Sequence, residues 1–130
     1  MPSPIPTLDL KYVWEDSGCC VLGRLTGFDG ELIKQADLTS ISCKIFDADA
    51  NRLETADLTP AVADTVYDAA QTSAAWPYDD GYNFRHLLPA TAFPTGGHKY
   101  RIEYLIDPAA ADEENFHCVL EVYARNLFRS

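Results

Sequence analysis

Basic side chains are scarce in this chain: ten Lys and Arg stand against twenty Asp and Glu in 130 residues, a formal charge of −10. A surface of that sign repels phosphate backbones and anionic lipid, which argues against nucleic acid and membranes as partners. The same charge keeps a small protein soluble, the plainer reason for its presence, and can steer it toward a basic surface on something larger. Long hydrophobic runs are missing too. No stretch approaches the roughly 18 apolar residues of a membrane span. The start Met1-Pro2-Ser3-Pro4-Ile5-Pro6 lacks the basic and apolar regions of a signal peptide, so a protein made and kept in a cytosol is expected.

Catalytic signatures are also absent: there is no Gly-x-Ser-x-Gly elbow, Walker-type phosphate loop, dinucleotide fingerprint or His-Glu-x-x-His helix. Neither a Cys-x-x-Cys nor a His-x-x-x-His pair occurs. The four cysteines, Cys19, Cys20, Cys43 and Cys118, fall in stretches of strand character and read as reduced, structural thiols. Adjacent Cys19 and Cys20 must point to opposite faces of a strand, which keeps them from serving one inward site. His86 is expected on an apolar face with Tyr82 and Phe84, His117 outward, and His98 beside a turn, so the three histidines should meet different surroundings. No enzyme, cofactor or metal is therefore expected.

Two acidic features invite chemistry and fall short of it. Asp79 and Asp80, beside Trp76 and Tyr78, suggest a sugar-binding patch with acids in it, but adjacent acids share a loop instead of facing each other across a pocket. Asp47-x-Asp49-x-Asn51 resembles half a calcium loop; Arg52 stands where the required glycine would be and Leu58 where the closing acid would be, so a hairpin turn is expected.

What is present is two-residue periodicity. Apolar residues make up 47% of the chain and charged residues 23%, ordinary globular usage, and the length suits one domain. Three prolines at alternate positions make residues 1–7 an extended Pro-rich arm, with a single domain over residues 8–130. Alternation predicts strands over residues 8–13, 19–26, 41–46, 52–58, 82–88, 100–106 and 116–124. Residues 107–114 read as a polar loop. Tyr82, Phe84, His86 and Leu88 share one face; so do Tyr100, Ile102, Tyr104 and Ile106; so do Phe116, Cys118, Leu120, Val122 and Ala124, opposite His117, Glu121 and Arg125. Thr59 as N-cap and Pro60 at the first turn suit a short helix near residues 60–72, although Thr65-Val66-Tyr67 suits a strand. About seven strands separated by turns predict an all-β, two-sheet antiparallel sandwich of immunoglobulin-like topology, without the disulfide-and-tryptophan core of antibody domains.

Several runs carry a resemblance. Leu25-Thr26-Gly27-Phe28-Asp29-Gly30, Ala36-Asp37-Leu38-Thr39-Ser40-Ile41 and Ile45-Phe46-Asp47 come first, followed by Gly81-Tyr82-Asn83-Phe84-Arg85, Leu88-Pro89-Ala90, Phe93-Pro94-Thr95-Gly96 and Tyr100-Arg101-Ile102-Glu103. Together they resemble small immunoglobulin-like β-sandwich proteins encoded in phage and prophage genomes. The resemblance implies a non-enzymatic virion component that decorates a capsid or sits in the neck or tail, made in the host cytoplasm and binding a larger virion protein or a second copy of itself. Pro2, Pro4 and Pro6 of the arm and Trp76, Tyr78 and Tyr82 of the aromatic loop are the candidate contact residues. The alternative reading is a ligand-binding sandwich for carbohydrate or calcium.

Overall fold

Alternation of apolar and polar side chains can be satisfied only by a surface with one dry side, and the chain builds two such surfaces face to face. The computed structural model describes residues 5–9, 12–15, 17–26, 31–73, 76, 79, 81–109 and 115–126, with backbone alone at 5–9, 12 and 116. Among them are nine strands: β1 (Ile5–Asp9), β2 (Tyr12–Trp14), β3 (Cys19–Thr26), β4 (Leu38–Asp47), β5 (Leu53–Leu58), β6 (Val66–Gln71), β7 (Tyr82–Leu88), β8 (Lys99–Pro108) and β9 (Phe116–Arg125). They form a four-stranded sheet ordered β1-β3-β7-β6 and a five-stranded sheet ordered β2-β9-β8-β4-β5.

The center of the larger sheet is β8, paired antiparallel with β4 and β9 so that Cys43, Tyr104 and Cys118 lie in one row across it. Its inward residues Tyr100, Ile102, Tyr104 and Ile106 are fully buried, as the alternation predicts. Val21, Leu25 and Phe84 face them from the smaller sheet as part of the same core. Phe84 meets Tyr104 edge-on with ring centroids 5.3 Å apart, and Phe93 meets Tyr100 likewise at 5.2 Å, the arrangement that ring quadrupoles favor. Each buried side chain of this size contributes about 1.5–3 kcal/mol of transfer free energy.

Five expectations need correction. Residues 8–13 are not one strand: β1 pairs antiparallel with β3 in one sheet, and β2 pairs with β9 in the other. A strand that changes sheets covers an edge of each, which a straight strand cannot do. The β2–β9 pairing is parallel, so the sandwich is not wholly antiparallel. Ile5, Pro6 and Thr7, placed in a free arm by their prolines, are the first half of β1, opposite Thr26, Leu25 and Arg24; proline is tolerated there because β1 is an edge strand. The helix is one turn, Val62–Thr65, with Ala61 at its N-cap in place of Thr59 and no side-chain cap. The chain returns to strand at Val66 because that β-branched side chain is buried in the sheet register opposite Phe84. β8 also continues through Asp107 and Pro108 into the stretch expected to be loop.

Two local features hold β7 in place. Gly81 adopts φ 76° at its entry, and a Cβ there would sit 2.9 Å from the Gln71 carbonyl oxygen, so no other residue fits. Asn83 is fully buried and acts as a substitute backbone: its Oδ1 accepts from Leu25 N–H at 2.7 Å, and its Nδ2 donates to the carbonyls of Leu25 at 3.0 Å and Ile33 at 2.9 Å. Replacing Asn83 with Ala should lower stability by about 2–4 kcal/mol, since buried backbone groups lose their partners. Urea unfolding checks this; a loss under about 0.5 kcal/mol would show that the bridge contributes nothing.

Candidate functional site

The aromatic loop does not form an open contact surface where it is described. Trp76 is 5% exposed, its ring tilted against Tyr82 with centroids 6.0 Å apart. Tyr82 in turn meets Tyr67 edge-on at 6.1 Å, so this group packs over the β6–β7 pair. Asp79 is exposed. Pro2, Pro4, Tyr78 and Asp80 lie outside the described residues, and Pro6 is described by its backbone alone.

The half-loop Asp47-x-Asp49-x-Asn51 is a hairpin turn in which both Asp47 carboxylate oxygens and one of Asp49 are engaged. Asp47 Oδ1 accepts from Asp49 N–H at 3.0 Å and its Oδ2 lies 2.8 Å from His98 Nδ1, while Asp49 Oδ2 accepts from Lys99 N–H at 2.8 Å. Asn51 and Arg52 take φ near 56° and 58°, left-handed values that turn the chain. These bonds tie the β4–β5 turn to the start of β8.

The three histidines occupy three surroundings. His98 sits on Asp47, His117 is exposed on the outer face of β9, and His86 is buried with Nδ1 2.8 Å from the Tyr104 hydroxyl. Burial lowers His86 from 6.5 to about 4, so its imidazole is neutral at pH 7. Burial also pushes the Cys19, Cys43 and Cys118 thiols up to about 12, which leaves them protonated and poor nucleophiles. A phenol hydroxyl is a stronger donor than an imidazole N–H, and an imidazole nitrogen a stronger acceptor than a phenol oxygen, so Tyr104 donates to His86 Nδ1. That order places the ring proton of His86 on Nε2.

The exposed large apolar side chains lie elsewhere. Alternation turns Val119 and Tyr123 of β9 outward, and β2 sets Trp14 beside Arg125; these residues are 43%, 46% and 46% exposed for Val119, Tyr123 and Trp14. The Arg125 guanidinium lies 5.7 Å from the Trp14 ring centroid. Glu15 anchors the strand that carries Trp14: its N–H donates to the Arg125 carbonyl at 3.0 Å and its Oε2 accepts from Gly96 N–H at 3.0 Å. Reasoning from the sequence overlooked this row, yet the signal was there, since the alternation that sends His117, Glu121 and Arg125 outward sends Val119 and Tyr123 with them. Leu53 of β5 and, on the opposite sheet, Leu87 of β7 are 59% and 60% exposed.

The fold and surface define an all-β, two-sheet sandwich with its apolar side chains packed between the sheets and a second apolar set displayed outside. No family model, curated protein or solved structure matches the chain.

The low value of His86 makes stability depend on pH. Below pH 6.5 the unfolded chain takes up a proton that the folded chain refuses until about pH 4, so stability falls as pH drops through that window and levels off beneath it. The loss is about 2–3 kcal/mol by pH 4.5. Urea midpoints at pH 7 and pH 4.5 measure it; a His86→Phe variant should show a correspondingly smaller difference, and an equal difference in both proteins would remove His86 as the cause.

Proposed function

We propose that this chain is a non-enzymatic interaction module with an immunoglobulin-like strand arrangement, and that it serves as a component of a phage particle, attached to a larger capsid, neck or tail protein. The strand order supports the first part. In constant-type immunoglobulin sandwiches the first, second, fifth and fourth strands share one sheet, and β1-β3-β7-β6 follows that order once β2 is counted with β1 as a single divided first strand and β5, paired beside β4 in the other sheet, as the extra strand that variable-type domains add after the third. The phage setting rests on the sequence resemblance described above.

The observation that carries the binding role is the outward row Trp14, Arg125, Tyr123 and Val119 on β2 and β9, with Glu121 between the last two. At the rise of an extended strand it runs about 20 Å. Tryptophan, tyrosine and arginine are the residues that dominate interface energies when a partner dries them, and a soluble monomer has no reason of its own to display them together. The strongly perturbed titratable groups, by contrast, lie in the core, with thiols and phenol held protonated and imidazole held neutral. Carbohydrate or calcium recognition draws no support from the loop and turn that suggested it, because Trp76 is buried and the Asp47 and Asp49 oxygens are engaged.

Two outcomes test this reading. A Trp14→Ala, Tyr123→Ala double variant should fold with stability within about 1 kcal/mol of the parent. It should occupy assembled particles at least about tenfold less well, as quantified by mass spectrometry of purified particles. Full occupancy by the double variant would discard the β2–β9 face. Millimolar calcium or a panel of oligosaccharides should leave the melting temperature unchanged, whereas a clear rise would favor the ligand-binding alternative, since any ligand of the folded state must stabilize it.

A further inference from the structure

The outer face of the five-stranded sheet differs in charge from the rest of the molecule. Cys43, Ile45, Ile102, Tyr104, Cys118 and Val122 point into the core, so the register turns their strand neighbors on β4, β8 and β9 outward. The bases Lys44, Lys99, Arg101 and Arg125 stand on that face, and Arg52 reaches onto it to place its guanidinium 4.4 Å from the Phe46 ring centroid. The acids Glu54, Asp57, Glu103, Asp107 and Glu121 stand among them. Of the chain's ten bases and twenty acids, five of each are therefore here, and the whole of the −10 is carried by the rest of the chain.

Three observations constrain what covers this face. First, its opposite charges lie close together: Lys44 is 3.5 Å from Glu54 and 3.9 Å from Asp57, and Glu103 takes Arg101 at 2.6 Å and Arg52 at 3.2 Å. Between these pairs the exposed rings of Trp14 and Tyr123 and the Val119 side chain meet water without the net charge that keeps the remaining surface apart from its neighbors. Second, the balance selects a partner. A site for a basic partner would share the acidic sign of the other surfaces, and a site for an acidic partner would carry an excess of bases. An isologous contact presses a patch against its own twin, so that patch must hold both signs in equal number or repel itself. At −10 a second copy is repelled wherever the excess is carried, and this face is free of it. Third, the size fits. Strands of ten residues in a sheet of five give a face about 30 Å by 20 Å, or about 600 Å² in plane. Side-chain relief brings its accessible area toward the roughly 800 Å² that each partner of a standard interface buries.

We propose that two copies of this chain pair about a twofold axis through the outer faces of their five-stranded sheets, drying Trp14, Tyr123 and Val119 between them. The proposal rests on reading the β2–β9 row as a contact surface and names its occupant, a second copy. The unit that attaches to a particle is then a pair with its acidic surfaces outward, and two attachment points on one unit hold it more firmly than one.

The test is sedimentation equilibrium of the full chain from about 1 to about 500 µM, with dilution of the 15N-labeled protein followed by NMR over the same range. A reversible monomer–dimer equilibrium should appear, and the amides that shift on dilution should lie on β4, β8 and β9. The Trp14→Ala, Tyr123→Ala double variant should weaken pairing at least about tenfold. Val119→Lys, at an exposed position opposite Glu103, should do the same, and it decides alone if the double variant does not fold. Leu87→Glu, exposed on the other sheet, should pair like the parent. A monomer at every concentration, a dimer that survives both face variants, or a dimer that only Leu87→Glu abolishes would overturn the proposal. Particle occupancy separates it from the broader reading. If the parent is monomeric and the double variant is nonetheless lost from particles, the row touches the larger protein directly: the pairing falls and the module stands. If the parent pairs through this face and the double variant still occupies particles fully, the pairing stands and the row's role in attachment fails.

Discussion

Tyr104 carries a phenol into the middle of a hydrophobic layer, and its burial is tolerable only because His86 stands opposite with Nδ1 2.8 Å away. An unpartnered buried hydroxyl would cost about 1–3 kcal/mol. The bond crosses from the larger sheet to the smaller one, so it sets their separation as well as satisfying two polar groups. Around it the row Cys43, Tyr104 and Cys118 fixes the register of β4, β8 and β9, and Phe84 packs edge-on against the phenol ring. Shifting any of these strands by one residue would turn its apolar set to solvent, so the sandwich has one register available to it.

The same burial silences the interior chemically. Thiols pushed up to about 12 and an imidazole lowered to about 4 are groups held in their uncharged forms by lack of water, not groups poised for proton transfer at neutral pH. On the outer face of β2 and β9 the rings of Trp14 and Tyr123 are exposed, with the Arg125 guanidinium 5.7 Å from the Trp14 ring centroid and Glu121 beside them.

Much of this was legible beforehand, and for one reason. A strand has an exact side-chain period of two, so the inward sets of β7, β8 and β9 follow from position alone: Phe84, His86 and Leu88; Tyr100, Ile102, Tyr104 and Ile106; Cys118, Val122 and Ala124 are buried as read. Cys19–Thr26 begins and ends at its turn residues. The segments that resisted are those where pattern is weak. Residues 60–72 carry both helix and strand preferences, and the outcome, one helical turn and then β6, was decided by burial of Val66 opposite Phe84. Trp76 looked like a contact residue because aromatic loops often are; whether such a ring faces solvent depends on the neighbors it finds, here Tyr82.

The sequence by itself determined the fold class, the faces of the long strands, the reduced state expected of the thiols and the acidic surface, because each depends on local period or on composition. Tertiary structure alone decided that the first strand divides between sheets, that Asn83 stands in for backbone, and that Trp14 comes to rest beside Arg125. These are pairings between residues far apart in the chain, and a linear pattern carries no information about which distant backbone a strand edge will meet.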